Sequence, residues 1–127
     1  MKSNYKVAVA MLAGVALGAF VVQGLHAQAK PPIYVVAEID VSNLDAYLKE
    51  YVPLAQAAIK AAGGRILAVG QNITPIEGTP PKRASIQQWE SVEHYNSYRK
   101  SAVFVDARKI GEKYAKFRTF AIEGMPQ

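Results

Sequence analysis

Between Ile33 and Glu123 the apolar positions recur with two different periods, and each change of period marks an element. Ile33 to Asp40 (IYVVAEID) alternates, follows a Pro31-Pro32 entry and puts Ile33, Val35, Ala37 and Ile39 on one face, which predicts a first strand. Leu44, Tyr47, Leu48, Tyr51, Val52, Ala55, Ile59 and Ala62 then keep helical spacing behind a capping-box-like Ser42 and Asp45 pair. Pro53 removes one backbone donor inside that helix and crowds the carbonyl of Lys49. A kink is expected, or a restart with Pro53 in a first turn. Gly63-Gly64 ends the helix.

Arg65 to Gln71 reads as a second strand, and Ile73 to Gly78 as a short extended arm before the turn residues Thr79-Pro80-Pro81. Lys82 to Trp89 resumes the strand pattern. Ser91 is placed to cap a second helix through about Lys100 with Val92, Tyr95 and Tyr98 inward, and Ala102 to about Lys113 continues helically. Phe117 to Glu123, with Phe120 and Ile122 on one face, closes the pattern before Gly124 and Pro126.

Strand, helix, strand, strand, helix, strand is the split βαβ order. The expected fold is therefore α+β and ferredoxin-like, a four-stranded antiparallel sheet with two main helices on one face. Two helices cover only one face of such a sheet, so the other meets water or a second copy. If Ile33, Val35, Ala37 and Ile39 face the helices, the open face is expected to carry Tyr34, Val36 and Glu38, with Leu67 and Val69. Arg83, Ser85, Gln87 and Trp89 are expected beside them, with Thr119 and Ala121 from the last strand. An apolar patch of Val36, Leu67, Val69 and Trp89 predicts a two-fold homodimer closing around a partly polar cavity.

Ahead of this domain, Met1 to Lys6 carries two lysines, Val7 to Val22 is unbroken apolar, and Ala27-Gln28-Ala29 supplies a small-x-small cleavage pattern. Residues 1 to 29 therefore read as a secretory signal peptide and 30 to 127 as the mature domain, periplasmic or secreted. A membrane is met only through the N-terminal segment, if it stays uncleaved. Of the 127 residues, 98 remain, enough for one two-layer domain and too few for a Rossmann, TIM-barrel or α/β-hydrolase scaffold. The whole chain has 15 Lys and Arg against 10 Asp and Glu, and setting aside Lys2 and Lys6 leaves an excess of three, too small to point to nucleic acid. No cysteine is present, so disulfides and thiolate chemistry are excluded, and no metal or cofactor is expected.

Several residues carry candidate chemistry. His94 is the sole histidine of the mature domain and is a candidate proton carrier at the mouth of a pocket. Glu38 is an acid in the middle of a strand, where burial requires a cation such as Arg83 or several donors. Glu38 and His94 are the catalytic candidates. Tyr34, Arg83 and Trp89 are the substrate-binding candidates, with Tyr51 adding to an aromatic wall for a small organic ligand. Arg108, Lys109, Lys113, Lys116 and Arg118 form a basic cluster that reads first as a solvated face and second as a site for an anionic ligand or a membrane surface.

From Ile33 to Gly124 the chain resembles the family called domain of unknown function 1330, small ferredoxin-like proteins of the dimeric α/β-barrel superfamily. The resemblance rests on Tyr34-Val35-Val36-Ala37-Glu38, Tyr47 and Tyr51, Gly63-Gly64-Arg65, Glu77-Gly78, Arg83, Trp89, Ser91, Ser101 with Phe104, and Glu123-Gly124. Many relatives carry an arginine about seven residues beyond the Phe104 position. Gly111 stands there in this chain, with Arg108 and Lys113 nearby. The resemblance implies a fold and a dimer and supplies no reaction. By superfamily analogy the expectation is an exported small-molecule-handling protein acting as a cofactor-independent enzyme, monooxygenase- or isomerase-like. The alternative is a non-catalytic periplasmic binding or stress-associated homodimer.

Overall fold

Pro31 and Pro32 lead into β1 (Ile33–Val41), the central strand to which the described residues, 30–126 of the computed structural model, are built. The expected leader, residues 1 to 29, lies outside the described residues. β2 (Arg65–Gly70), β3 (Arg83–Trp89) and β4 (Ala115–Glu123) complete one sheet in the order β2-β3-β1-β4, with every neighbouring pair antiparallel. Helices α2 (Val92–Lys100) and α3 (Ala102–Gly111) connect β3 to β4. The architecture is the α+β, ferredoxin-like one that the order of elements predicts. Among the described residues no helix is long and apolar enough to cross a membrane.

The first helical segment, α1, spans residues 44–61 in three parts: Leu44–Ala46, a π-turn over Tyr47–Tyr51, and Val52–Ala61. Asn43 caps it by accepting a hydrogen bond from the Ala46 amide at 3.2 Å, while the expected cap, Ser42, instead donates to the Tyr114 carbonyl at 3.0 Å. Pro53 falls in the first turn of Val52–Ala61, where a missing amide costs little, and the Val52 amide reaches back to the Tyr47 carbonyl. The expected restart is thus built as a π-turn. Gly63, at φ +93°, supplies the left-handed residue that ends the helix.

Ser101 divides the second helical stretch. Its extended backbone ends α2, its hydroxyl donates to the Tyr98 carbonyl at 2.6 Å, and the same oxygen accepts from the Phe104 amide at 3.3 Å to start α3. Val92, next to the cap at the start of α2, is exposed rather than inward. Residues 73 to 78 form no extended arm. Pro75, Pro80 and Pro81 cannot donate to a ladder, and the connection from β2 to β3 is irregular.

Strand register assigns the faces. Ile33, Val35, Ala37 and Ile39 are buried under the helices, as the alternation predicts. Directly opposite them in β3 lie Trp89, Gln87, Ser85 and Arg83, and paired residues share a face. These four β3 residues therefore belong to the helix side, not to the open face, and all four are buried. Likewise Thr119 and Ala121 pair with Ala37 and Val35 on the helix side, and Val69 pairs with Ser85. The open face instead carries Tyr34, Val36 and Glu38 with Ile86, Arg118, Phe120 and Ile122. The core divides into one cluster around Trp89, Tyr98 and Phe104 and another around Tyr47, Tyr51 and Ile39.

Candidate functional site

Between α1, α3 and the helix side of the sheet lies a cavity of about 60 Å³. Apolar walls come from Ile39, Ile59 and Phe117, and polar groups from Tyr47 and Tyr51 of α1, from Arg83, Ser85 and Gln87 of β3, and from Arg108 of α3. Its exposed lining residues are Gln56 and Val69, so the mouth opens between α1 and β2. A space of this size admits a few waters or one small polar group.

β3 positions most of the polar lining. Its alternate residues Arg83, Ser85 and Gln87 point to the helix side at successive inward positions. The Trp89 indole donates to Gln87 Oε1 at 2.9 Å, and the Gln87 amide nitrogen donates to Ser85 Oγ at 3.4 Å. Arg83 is 5% exposed, and its Nη1 donates to Gln71 Oε1 at 2.8 Å. Its guanidinium carbon lies 5.5 Å from the centre of the Tyr47 ring. The Arg108 guanidinium sits 3.8 Å from the Phe117 ring centre and 4.8 Å from that of Phe104.

Two guanidinium groups in this position are electrostatically unbalanced. Arginine does not lose its proton in a protein, so burial cannot neutralise it. The effective cost of burying one such ion is several kcal/mol, against about 0.5–2 for a cation–π contact and roughly 1.5–3 for a charged hydrogen bond. Among the described residues no carboxylate pairs with Arg83 or Arg108, and the Nε of each is buried without a hydrogen-bond partner. The cavity lining contains no acid and no histidine. Burial, reinforced by Tyr51, pushes the Tyr47 phenol up to about 12, against the opposing pull of Arg83. Burial also raises Tyr51 against the pull of Arg108. Both phenols are consequently neutral near pH 7 and can donate hydrogen bonds.

The residues expected to form one pocket are divided by the sheet. Arg83 and Trp89 lie on the helix side, and only Arg83 lines the cavity. Tyr34 and Glu38 are on the open face, where Glu38 accepts from Arg118 Nε at 3.1 Å, and Asp40 accepts from Arg118 Nη1 at 2.8 Å. The expected Glu38 and Arg83 pair is therefore not formed. His94 packs edge-on against Trp89 at 5.3 Å, its Nε2 lies 2.7 Å from the Ala62 carbonyl, and its Nδ1 is 3.8 Å from Glu90. That histidine ties α2 to the end of α1, away from the cavity lining. Tyr51 does line the cavity.

Tyr47, Ser85, Gln87 and Arg108 also line the cavity; the sequence reading places Ser85 and Gln87 on the open face and Arg108 in a basic cluster, and names none of the four as a site residue. Polar residues alternating along Arg83-Ala84-Ser85-Ile86-Gln87 were the available signal, once β3 is turned to the helix side. Gly111 gives the Tyr51 ring its space: a Cβ there would stand 2.8 Å from two ring carbons. Arg108, one helical turn earlier, supplies the cation from α3. Among the described residues no group of three His, Asp or Glu side chains has the arrangement of a metal site.

The family model described as Domain of unknown function (DUF1330) matches residues 32–125. No curated protein matches the sequence. Among solved structures, a protein of unknown function from Rhodopseudomonas palustris is similar at 15% identity and TM-score 0.58, over 83% of this chain and 92% of that one. SnoaB, a cofactor-independent oxygenase from Streptomyces nogalater, is similar at 8% identity and TM-score 0.58, over 76% and 96%. A dimeric protein of unknown function and ferredoxin-like fold from Bacteroides fragilis aligns at 14% identity and TM-score 0.55, over 73% and 96%. At these identities the likeness to solved structures is one of fold.

Proposed function

We propose, from the premise that this chain belongs to the family Domain of unknown function (DUF1330), that it is an exported homodimer handling a small organic molecule in the helix-side cavity. The observation that carries this reading is the cavity itself, an apolar pocket with convergent polar groups held by buried strand positions. The cavity admits a head group, and the body of the ligand extends past Gln56 and Val69 at its mouth. Likeness to SnoaB supports an enzymatic form, in which the molecule is turned over without a bound cofactor. A lining without acid or histidine provides no ready proton carrier, so the ligand would itself have to supply the reactive electron pair. The same observation favours the second reading, a binding protein without turnover.

The homodimer is supported by the apolar open face and by the likeness to a dimeric protein of the same fold. Export is supported by the lysine-flanked apolar run and the Ala27-Gln28-Ala29 pattern, with cleavage expected after Ala29. Native mass spectrometry of protein purified from the exported fraction of its own cell tests all three together. The expected species is a dimer of chains beginning at Lys30 with a small molecule retained. A chain keeping Met1 to Ala29 in the membrane fraction overturns export, and a ligand-free monomer that takes up no small molecule overturns the functional reading. Oxygen uptake with the retained molecule and no added cofactor separates the enzymatic form from simple binding.

A further inference from the structure

We propose that the cavity recognises a monocarboxylate with an apolar body, its carboxylate held by Arg83 and Arg108 and its body leaving between α1 and β2. The proposal rests on the small-molecule reading of this cavity and names the ligand class. Charge is the first argument. Two cations that cannot be neutralised line one small cavity, and among the described residues neither has a carboxylate partner. Both Nε groups are buried and unpartnered, and the Arg83 side chain that carries one of them is 5% exposed. A bound anion is what this arrangement lacks.

Donor direction is the second argument. Gln87 Oε1 is occupied by the Trp89 indole and its amide nitrogen donates one hydrogen to Ser85 Oγ at 3.4 Å, which leaves the second amide hydrogen and the Ser85 hydroxyl proton for the cavity. The Tyr47 and Tyr51 hydroxyls are protonated donors. With Arg83 and Arg108 the lining offers donors from β3, α1 and α3, which suits a ligand group that only accepts. Shape selects among such groups. A planar carboxylate matches the guanidinium fork and fits about 60 Å³, whereas Ile39, Ile59, Val69 and Phe117 favour an apolar body over a fully hydrated inorganic ion.

The test uses the mature chain with benzoate, benzamide and inorganic phosphate, by thermal shift and isothermal titration. Benzoate is expected to bind and raise the Tm by several degrees at saturation, while benzamide and phosphate do neither. Arg83→Met and Arg108→Gln are each expected to weaken benzoate binding by about tenfold or more. Arg83→Met, which removes an unbalanced buried cation, is also expected to leave the ligand-free protein at least as stable as the wild type. An arginine kept for structural reasons alone would give the opposite result. Should Arg83→Met fail to fold, that prediction fails, and Arg108→Gln at the more exposed position still reads the anion site. Equal binding of benzamide leaves the small-molecule reading standing and overturns the carboxylate. Tighter binding of phosphate, an unchanged benzoate response in both variants, or no benzoate binding by the wild type also overturns it.

Discussion

Gly64 sits where α1 meets the core, and a Cβ there would lie 2.6 Å from Trp89 Cε2 and 2.9 Å from Ile59 Cγ2. Both neighbours are packed, so they cannot move aside as a surface side chain would. Gly64→Ala is expected to destabilise the domain by about 1–3 kcal/mol in urea unfolding. The Gly63-Gly64 pair is readable in sequence as a helix end. The demand of Trp89 for space is not, because the two residues are brought together only by packing. Tyr47 makes a second prediction at this scale. Its phenol, at 10.0 in an ordinary setting, is pushed up to about 12 by burial, so above pH 10 the native state holds a proton that the unfolded chain has lost. Stability from this group is full below pH 10 and falls as pH rises toward about 12, a loss on the order of 2 kcal/mol. Denaturant midpoints between pH 9 and 12 check it, and Tyr47→Phe should flatten the decline.

Among the elements, β1 is the strand whose faces were correctly readable, and the reason lies in what each face does. Ile33, Val35, Ala37 and Ile39 are apolar and inward, so pattern and burial agree. In β3 the inward set is Arg83, Ser85, Gln87 and Trp89, because that strand lines the cavity, and in β4 the outward set includes Phe120 and Ile122. Hydrophobic alternation assigns faces by burying the apolar set, so it inverts where a polar pocket is inside and an apolar surface is outside. The order of elements survived because it depends on periods and breakers rather than on phase. Ser101 is the element-scale test of that punctuation. Its hydroxyl serves the end of α2 and the start of α3 at once, and Ser101→Ala is expected to cost about 1 kcal/mol, with Thr recovering most of it in thermal unfolding.

For the whole molecule, the corrected faces change which residue reports on assembly. Trp89 is 1% exposed within the helix-side core, so Trp89→Lys should prevent folding rather than part a dimer. Phe120 and Ile122 are 52% and 59% exposed on the open face, beside Tyr34, Val36 and Ile86. At the other end of that face Arg118 bridges Glu38 and Asp40, giving an apolar patch with a charged border. Such a patch is what a two-fold contact buries at its centre, with ions left at the rim. Phe120→Lys places a charge at that centre without touching either core cluster, and should weaken the proposed dimer by about 2 kcal/mol, roughly thirtyfold in Kd. Equilibrium sedimentation at micromolar concentration is the measurement, with circular dichroism to confirm that the variant keeps its fold. A wild-type monomer, or a Phe120→Lys dimer as tight as the wild type, would move assembly away from this face and leave Phe120 and Ile122 without a partner.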